Sequence, residues 1–183
     1  MSLRADLVRA VRAPPGDFRD RHRAVCERHG LDAALSRRAA ETGPEAVGGD
    51  RVVAGGDLSR RERRLVWRLW TLDTAPLGLT LAGPAYADNP IRYATARFRE
   101  ITGYALADLR GVNPRLLQGP ETESEAVADL REAVASWDEV TVEVTNYRAD
   151  GTRFRNRVSL APLRGPDGTV AHWLGVQERV EGD

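Results

Sequence analysis

Three segments near the C-terminal end, VTVEVTNYR (140–148), TRFRNRVSLAPLR (152–164) and TVAHWLGVQERV (169–180), are joined by ADGT and GPDGT. Each segment is rich in β-branched and aromatic residues, and an Asp-Gly pair between two such runs is the strongest short-range hairpin signal. Two hairpins in succession make an antiparallel meander. Upstream, LGLTLAG reads as a further short strand, and NPIRYATARFREITGY as a strand end followed by a helix. ETESEAVADLREAVASW reads as a helix with Thr122 and Glu125 as a capping box and with Val127, Leu130, Val134 and Trp137 on one face. A meander preceded by short helices is an α+β arrangement.

Strand side chains alternate, so residues of one parity share a face. Val140, Val142, Val144 and Asn146 share a face, as do Phe154, Asn156, Val158 and Leu160, with Arg153, Arg155 and Arg157 opposite. Two asparagines therefore stand on apolar, core-facing stripes. A buried amide without partners costs about 1–3 kcal/mol, so each needs a partner. Backbone carbonyls or a water would satisfy one isolated Asn. Two on neighbouring strands, with Gln177 on the Trp173/Gly175 face of the last strand, point instead to a flat, heteroatom-rich ligand. Gly175 lets a ring approach the sheet closely. Arg115 and Arg131 supply the other end, because guanidinium matches phosphate oxygens in a fixed fork.

The N-terminal part has a different character. SLRADLVRAVRA places Leu3, Leu7, Val8 and Val11 on one helical face before Pro14-Pro15-Gly16 stops it. Asp17 is placed to cap a second helix that ends at Gly30, and a third covers 31–41. Residues 42–57 are the most Gly-rich stretch and read as a linker or mobile loop. In LSRRERRLVWRLWTLD, Ser59 and Glu62 form a capping box, and Leu65, Val66, Leu69 and Trp70 form an apolar stripe. The division expected is 1–58 helical extension and linker, 59–76 linker helix, and 77–180 ligand-binding domain. Residues 1–70 hold 15 Arg against 10 acidic residues, and the remainder 12 Arg against 17, so a neutral chain is split into a basic and an acidic part. That surplus is too modest and too spread to imply nucleic-acid binding. No apolar run approaches the roughly 18–20 residues of a membrane span, and the N-terminus lacks the apolar core of a secretory signal. The single Cys26 excludes an intramolecular disulfide and suits a reduced, cytoplasmic setting.

DNPIRYATARFREITGY, GVNPRLLQGPET, LREAV, TNYRADGTRFRN and WLGVQ, in this order and spacing, resemble the LOV domains, flavin-binding blue-light sensors of the PAS superfamily. The resemblance covers about residues 77–180. It implies a five-stranded antiparallel sheet with short helices, enclosing flavin mononucleotide (FMN). It further implies that Asn146 and Asn156 bond the polar edge of the ring, and that Gln177 sits at its reactive nitrogen. Arg115 and Arg131 would hold the phosphate, with Gln118 at the ribityl chain. Asn89 and Asn113 match further ligand contacts, and Leu160 and Trp173 match apolar or aromatic residues against the ring.

One position departs. The family loop reads G-x-N-C-R-F-L-Q-G, and here Pro114 follows Asn113. The family's cysteine attacks the photoexcited flavin, whereas proline has no nucleophile. Asn can cap a short helix and Pro suits its first position, so the loop is expected to keep its shape. The chemistry left is one-electron photoreduction to a neutral flavin radical, with Trp137, Tyr147, Trp173, Trp67 and Trp70 as candidate donors. A protonated ring nitrogen would then force Gln177 to rearrange its hydrogen bonds. The chain ends soon after the last strand, which directs the readout to the N-terminal helices. Val170, His172, Leu174 and Val176 form an outward apolar face, His172 reading as a partly covered surface residue. The Leu65 stripe is expected to cover that face within the chain or in a homodimer. A light-independent flavin redox sensor and an empty PAS interaction module are the alternatives. A flavin enzyme is disfavoured, because no general base is evident.

Overall fold

The computed structural model describes residues 2–47 and 58–180, and most of the Gly-rich stretch, residues 48–57, lies outside them. The chain divides into two compact units, Met1–Pro76 and Leu77–Asp183.

The first unit is helical: α1 (Leu3–Arg12), α2 (Phe18–His29), α3 (Ala33–Glu41) and α4 (Arg60–Trp70). Three of the four starts are closed by side chains. Ser2 accepts from the Ala5 N–H, Asp32 from the Ala34 N–H, and Ser59 and Glu62 make the predicted capping box. Asp17 does not cap α2. Its backbone is already helical (φ −91°, ψ −12°), which takes its side chain away from the free N–H groups. α2 ends on Gly30 in the left-handed conformation (φ 59°), as a glycine after the last turn permits.

The buried face of α4 is wider than a Leu65/Val66/Leu69/Trp70 stripe. Trp67 stacks edge-on against Phe18 with centroids 5.0 Å apart, and Arg68, 3% exposed, turns into the helices. Its Nη1 donates to the Val11 and Ala13 carbonyls at 2.6 and 2.7 Å, and its guanidinium lies over Phe18. A cation on the terminal carbonyls of α1 also meets the negative end of that helix dipole. Burial holds the Arg68 pKa down to about 10. Trp70 is half-buried beneath Arg38, which donates to its carbonyl.

Asp6, 3% exposed, ties α1 to α2 through His29 and Arg28, each at 2.9 Å. These bonds, His29 first and Arg28 next, hold its carboxyl below the ordinary value of 3.8. A lowered folded pKa means the clamp contributes fully above that value and is lost as pH falls through the folded one. The melting temperature of the wild type should therefore drop more steeply between pH 4 and pH 2.5 than that of an Asp6→Asn variant. Parallel acid slopes would show that the clamp contributes nothing.

The second unit holds β1 (Gly78–Ala82), β2 (Ile91–Ala94), α5 (Ala96–Thr102), α6 (Leu106–Leu109), α7 (Ser124–Ser136), β3 (Val140–Tyr147), β4 (Arg153–Arg164) and β5 (Val170–Val180). Single turns of 3-10 helix stand at Ala85–Ala87 and Pro114–Leu117. The strands form one antiparallel sheet in the order β2-β1-β5-β4-β3. Both Asp-Gly turns work as their residues dictate. Asp150 and Asp167 accept from the N–H two residues on, and Gly151 and Gly168 take φ of 82° and 81°. On the outer face Arg155 pairs with Glu123, and Arg157 with Glu143 at 2.7 Å.

Two expectations for α7 are corrected. Thr122 and Glu125 form no capping box, because the helix starts after Glu123 and the side chains around its start bond to the sheet instead. Thr122 Oγ1 donates to the Thr145 carbonyl at 2.7 Å, and the Glu123 carboxylate accepts from the Thr145 N–H at 2.7 Å. Partial burial works to raise the Glu123 pKa, but bonds from the Thr145 N–H and from Arg155 outweigh it and push it down to about 2. Trp137 does not join the apolar helical face. It is the residue after the helix, with φ 61°, and is 45% exposed. His172 also departs from expectation, being buried rather than partly exposed.

Candidate functional site

The inward face of β3, β4 and β5 and the apolar face of α7 enclose a cavity of about 250 Å³ within the second unit. Strand parity brings Asn146, Leu160, Trp173 and Gln177 to it, and α7 brings Val127, Leu130, Val134 and Arg131. The segments 88–89 and 113–118 form one side of its mouth, with Asn89, Asn113, Arg115 and Gln118. Nine of the ten residues expected to contact a cofactor thus line a single cavity. The tenth, Asn156, does not line it.

Asn156 is instead the hub of the polar end. It is 0% exposed, and its Nδ2 donates to Asn146 Oδ1 at 2.8 Å and to Gln177 Oε1 at 3.1 Å. The three amides therefore converge on one another through Asn156, diagonally across β3 and β4 and across to β5. In the register, Asn156 stands opposite Val144, and Gln177 opposite Val158. The Asn156 Oδ1 is buried without a hydrogen-bond partner, as is Asn89 Oδ1 at the mouth. Buried acceptors left open in this way are costly, and a ligand donor at the mouth would satisfy Asn89 Oδ1, which belongs to a lining residue.

At the mouth, Asn113 heads the 3-10 turn and its Oδ1 accepts from the Arg115 N–H at 2.9 Å, with Pro114 in the first helical position. The proline keeps the loop shape and lines the cavity. No cysteine lines it. Cys26, the chain's only one, is buried in the first unit, where burial pushes its thiol pKa up. The Arg115 guanidinium faces the Asp88 carboxylate, and Arg131 is exposed on α7.

Thr80, Ala82 and Asp88 also line the cavity, and none was anticipated from the sequence. All five residues of β1 are buried, so its pattern carries no alternation to mark an inner face. The register supplies it: Thr80 pairs with Gly175. A Cβ at Gly175 would stand 2.3 Å from Thr80 Oγ1. Gly175→Ala should destabilise by about 1–3 kcal/mol through overpacking, and adding Thr80→Ala should recover most of the lost melting temperature. Equal melting of the single and double variants would mean the strain lies elsewhere.

Amides at one end, arginines at the mouth and apolar walls between fit a flat heteroaromatic ring with an anionic tail. Among the described residues, no group of His, Cys, Asp and Glu is placed to hold a metal ion. No helix among them is long and apolar enough to cross a membrane.

The PAS domain model matches residues 85–178. The bacterioopsin transcriptional activator of Halobacterium salinarum is 40% identical over 119 residues, which are 65% of this chain and 17% of that protein. A blue-light-activated histidine kinase of Rhizobium johnstonii is 44% identical over 90 residues, 49% of this chain and 26% of the kinase. This chain thus spans about a quarter or less of either relative. Among solved structures, one from work on a flavin analogue and the light-oxygen-voltage domain mechanism superposes with a TM-score of 0.58 at 43% identity, covering 60% of this chain and 82% of that one. With the family model spanning more than half of its residues and a five-stranded antiparallel sheet of the same architecture, the chain belongs to the PAS domain family, in its light-oxygen-voltage subclass.

Proposed function

We propose that this chain is a blue-light sensory protein that binds FMN and signals by photoreduction of the flavin, without a cysteinyl adduct. The observation that carries this reading is the cavity itself: Asn146, Gln177, Arg115 and Arg131 line it together with Pro114, and no thiol does. The relatives named for blue light or for light-oxygen-voltage domains support the sensory role.

Bound flavin supplies blue-light absorption and a ring that accepts one electron and then a proton. The chain's residues do the rest. Asn146 and Gln177 would hold the polar edge, with Asn156 fixing both through its Nδ2. Arg131 and Arg115 take the phosphate, and Leu160 flanks the ring. Trp173 is the candidate donor best placed by the fold, since it lines the cavity and is buried, whereas Trp137 is exposed. Gln177 carries an acceptor and a donor on one amide, so it would offer its Oε1 where the ring presents an N–H. That oxygen now accepts from Asn156, so the switch passes along the amide chain to Asn156 and Asn146. The output is a change in packing or self-association of the N-terminal helices, in a homodimer.

The test is an absorption spectrum of the purified protein, before and during blue illumination, with and without a mild reductant. Conversion of a structured flavin band to a one-electron-reduced spectrum supports the reading. A flavin indifferent to light but reduced in darkness would replace it with a redox sensor. A colourless protein that takes up no FMN would leave an interaction module.

A further inference from the structure

The turn that closes the cavity mouth contains a residue with no part in the reading so far. Asp88 and Asn89 are consecutive non-glycine residues with φ of 63° and 46°, a conformation that Asp and Asn adopt more readily than other side chains. That bend presents Asp88 to the 113–115 turn. Its carboxylate accepts from both ends of the Arg115 guanidinium, Nη1 at 2.9 Å and Nη2. Asn113 Nδ2 adds bonds to Oδ1 at 3.1 Å and to the Asp88 carbonyl at 2.7 Å. Four donor contacts from one turn therefore end on a single residue of the other, and both turns line the cavity.

We propose that Asp88 is an internal anion which occupies the Arg115 fork and must yield it to a phosphomonoester, so that this carboxylate sets how strongly the site prefers FMN over unphosphorylated riboflavin. The proposal rests on the flavin reading above. The planar fork matches a carboxylate and a phosphate with the same two parallel N–H bonds, so one guanidinium cannot serve both in that geometry. Arg131, also at the cavity, has no hydrogen bond or ion pair among the described residues, and it is open to the tail. The Asp88–Arg115 pair is solvated, with 62% and 57% of the two side chains exposed. Pairs this exposed contribute little, so exchange is easy. Arg115 holds the Asp88 carboxyl below its ordinary range, so the group is ionised at neutral pH. A phosphate arriving at the fork meets that charge, and a neutral ribityl chain does not.

The measurement is equilibrium titration of the flavin-free full chain with FMN and with riboflavin, by flavin fluorescence, for wild type, Asp88→Asn, Arg115→Gln and the double variant. Removing one charge about 6 Å from a dianion in a water-like dielectric corresponds to about tenfold in affinity. The FMN-to-riboflavin affinity ratio should therefore rise about tenfold in Asp88→Asn and fall in Arg115→Gln, and a rise should persist when Asp88 is replaced in the Arg115→Gln background, because the carboxylate acts directly on the phosphate charge. Should Asp88→Asn fold poorly, Asp88→Gly removes the same charge while tolerating the left-handed turn, and the same rise is expected. An unchanged ratio overturns the proposal. A falling ratio in Asp88→Asn shows that Asp88 instead positions Arg115 for the phosphate, and overturns it too. If the wild type binds neither flavin, the flavin reading itself fails. Binding of both with an unmoved ratio sinks only the role of Asp88.

Discussion

Replacing Pro114 by cysteine is expected to convert the illumination product of the flavin-loaded protein from photoreduced flavin to a thiol adduct that reverts in darkness. Residue 114 lines the cavity. Its turn is held by the Asn113 cap, which bonds the Arg115 N–H and needs no proline. The substitution costs about 1 kcal/mol or less through the freer unfolded chain, too little to unfold a domain of ordinary stability. The chemistry balances without an external reductant: sulfur bonds to a ring carbon, and the thiol hydrogen ends on the ring nitrogen. Wild type has no such route, because no cysteine lines its cavity. Blue light should then bleach the flavin band and its fluorescence in Pro114→Cys without added reductant, with dark recovery, and should do neither in wild type. A variant that still requires an electron donor would show that the turn does not present residue 114 to the ring.

Asn156→Leu is expected to cost about 2 kcal/mol of stability and about a hundredfold in FMN affinity. The side chains are similar in volume, so the loss is polar rather than steric. Two buried acceptors, Asn146 Oδ1 and Gln177 Oε1, lose their donor, at about 1–3 kcal/mol each. The open Asn156 Oδ1 disappears as well, which returns about one such penalty and sets the net figure. Affinity suffers more, since the two flanking amides are no longer held toward the ring and about 1.4 kcal/mol corresponds to each factor of ten. Thermal unfolding and FMN titration measure the two quantities separately. Wild-type affinity in a folded Asn156→Leu protein would remove the amide hub from the site.

The hairpins were legible because their causes are local. Alternation has a period of two residues, and an Asp-Gly pair carries its own turn chemistry wherever it stands. Parity alone therefore placed Asn146, Asn156 and Gln177 on inward faces. It did not reveal that Asn156 donates to both of the others, which depends on the register of β3 against β4 and of β4 against β5. The failures have separate causes. Thr122 and Glu123 bond to Thr145 on the sheet, more than twenty residues away, and that long-range partner overrides the capping box that local spacing suggested. Trp137 matched the helical period but fell one residue past the helix end. Thr80 sat in a strand buried on every residue, where no pattern distinguishes one face from the other.

By itself, then, the sequence determined the antiparallel meander, the capping box of α4, the shape of the 113–117 turn and the absence of a thiol at position 114. Each follows from side-chain chemistry acting within a few residues. Only the tertiary structure decided the amide relay through Asn156, the contact of Arg68 with the end of α1, and the closure of Arg115 on Asp88. In each of these the partners are 10 to 57 residues apart, and a hydrogen bond or charge pair at that separation exists only where packing brings its two ends within about 3 Å.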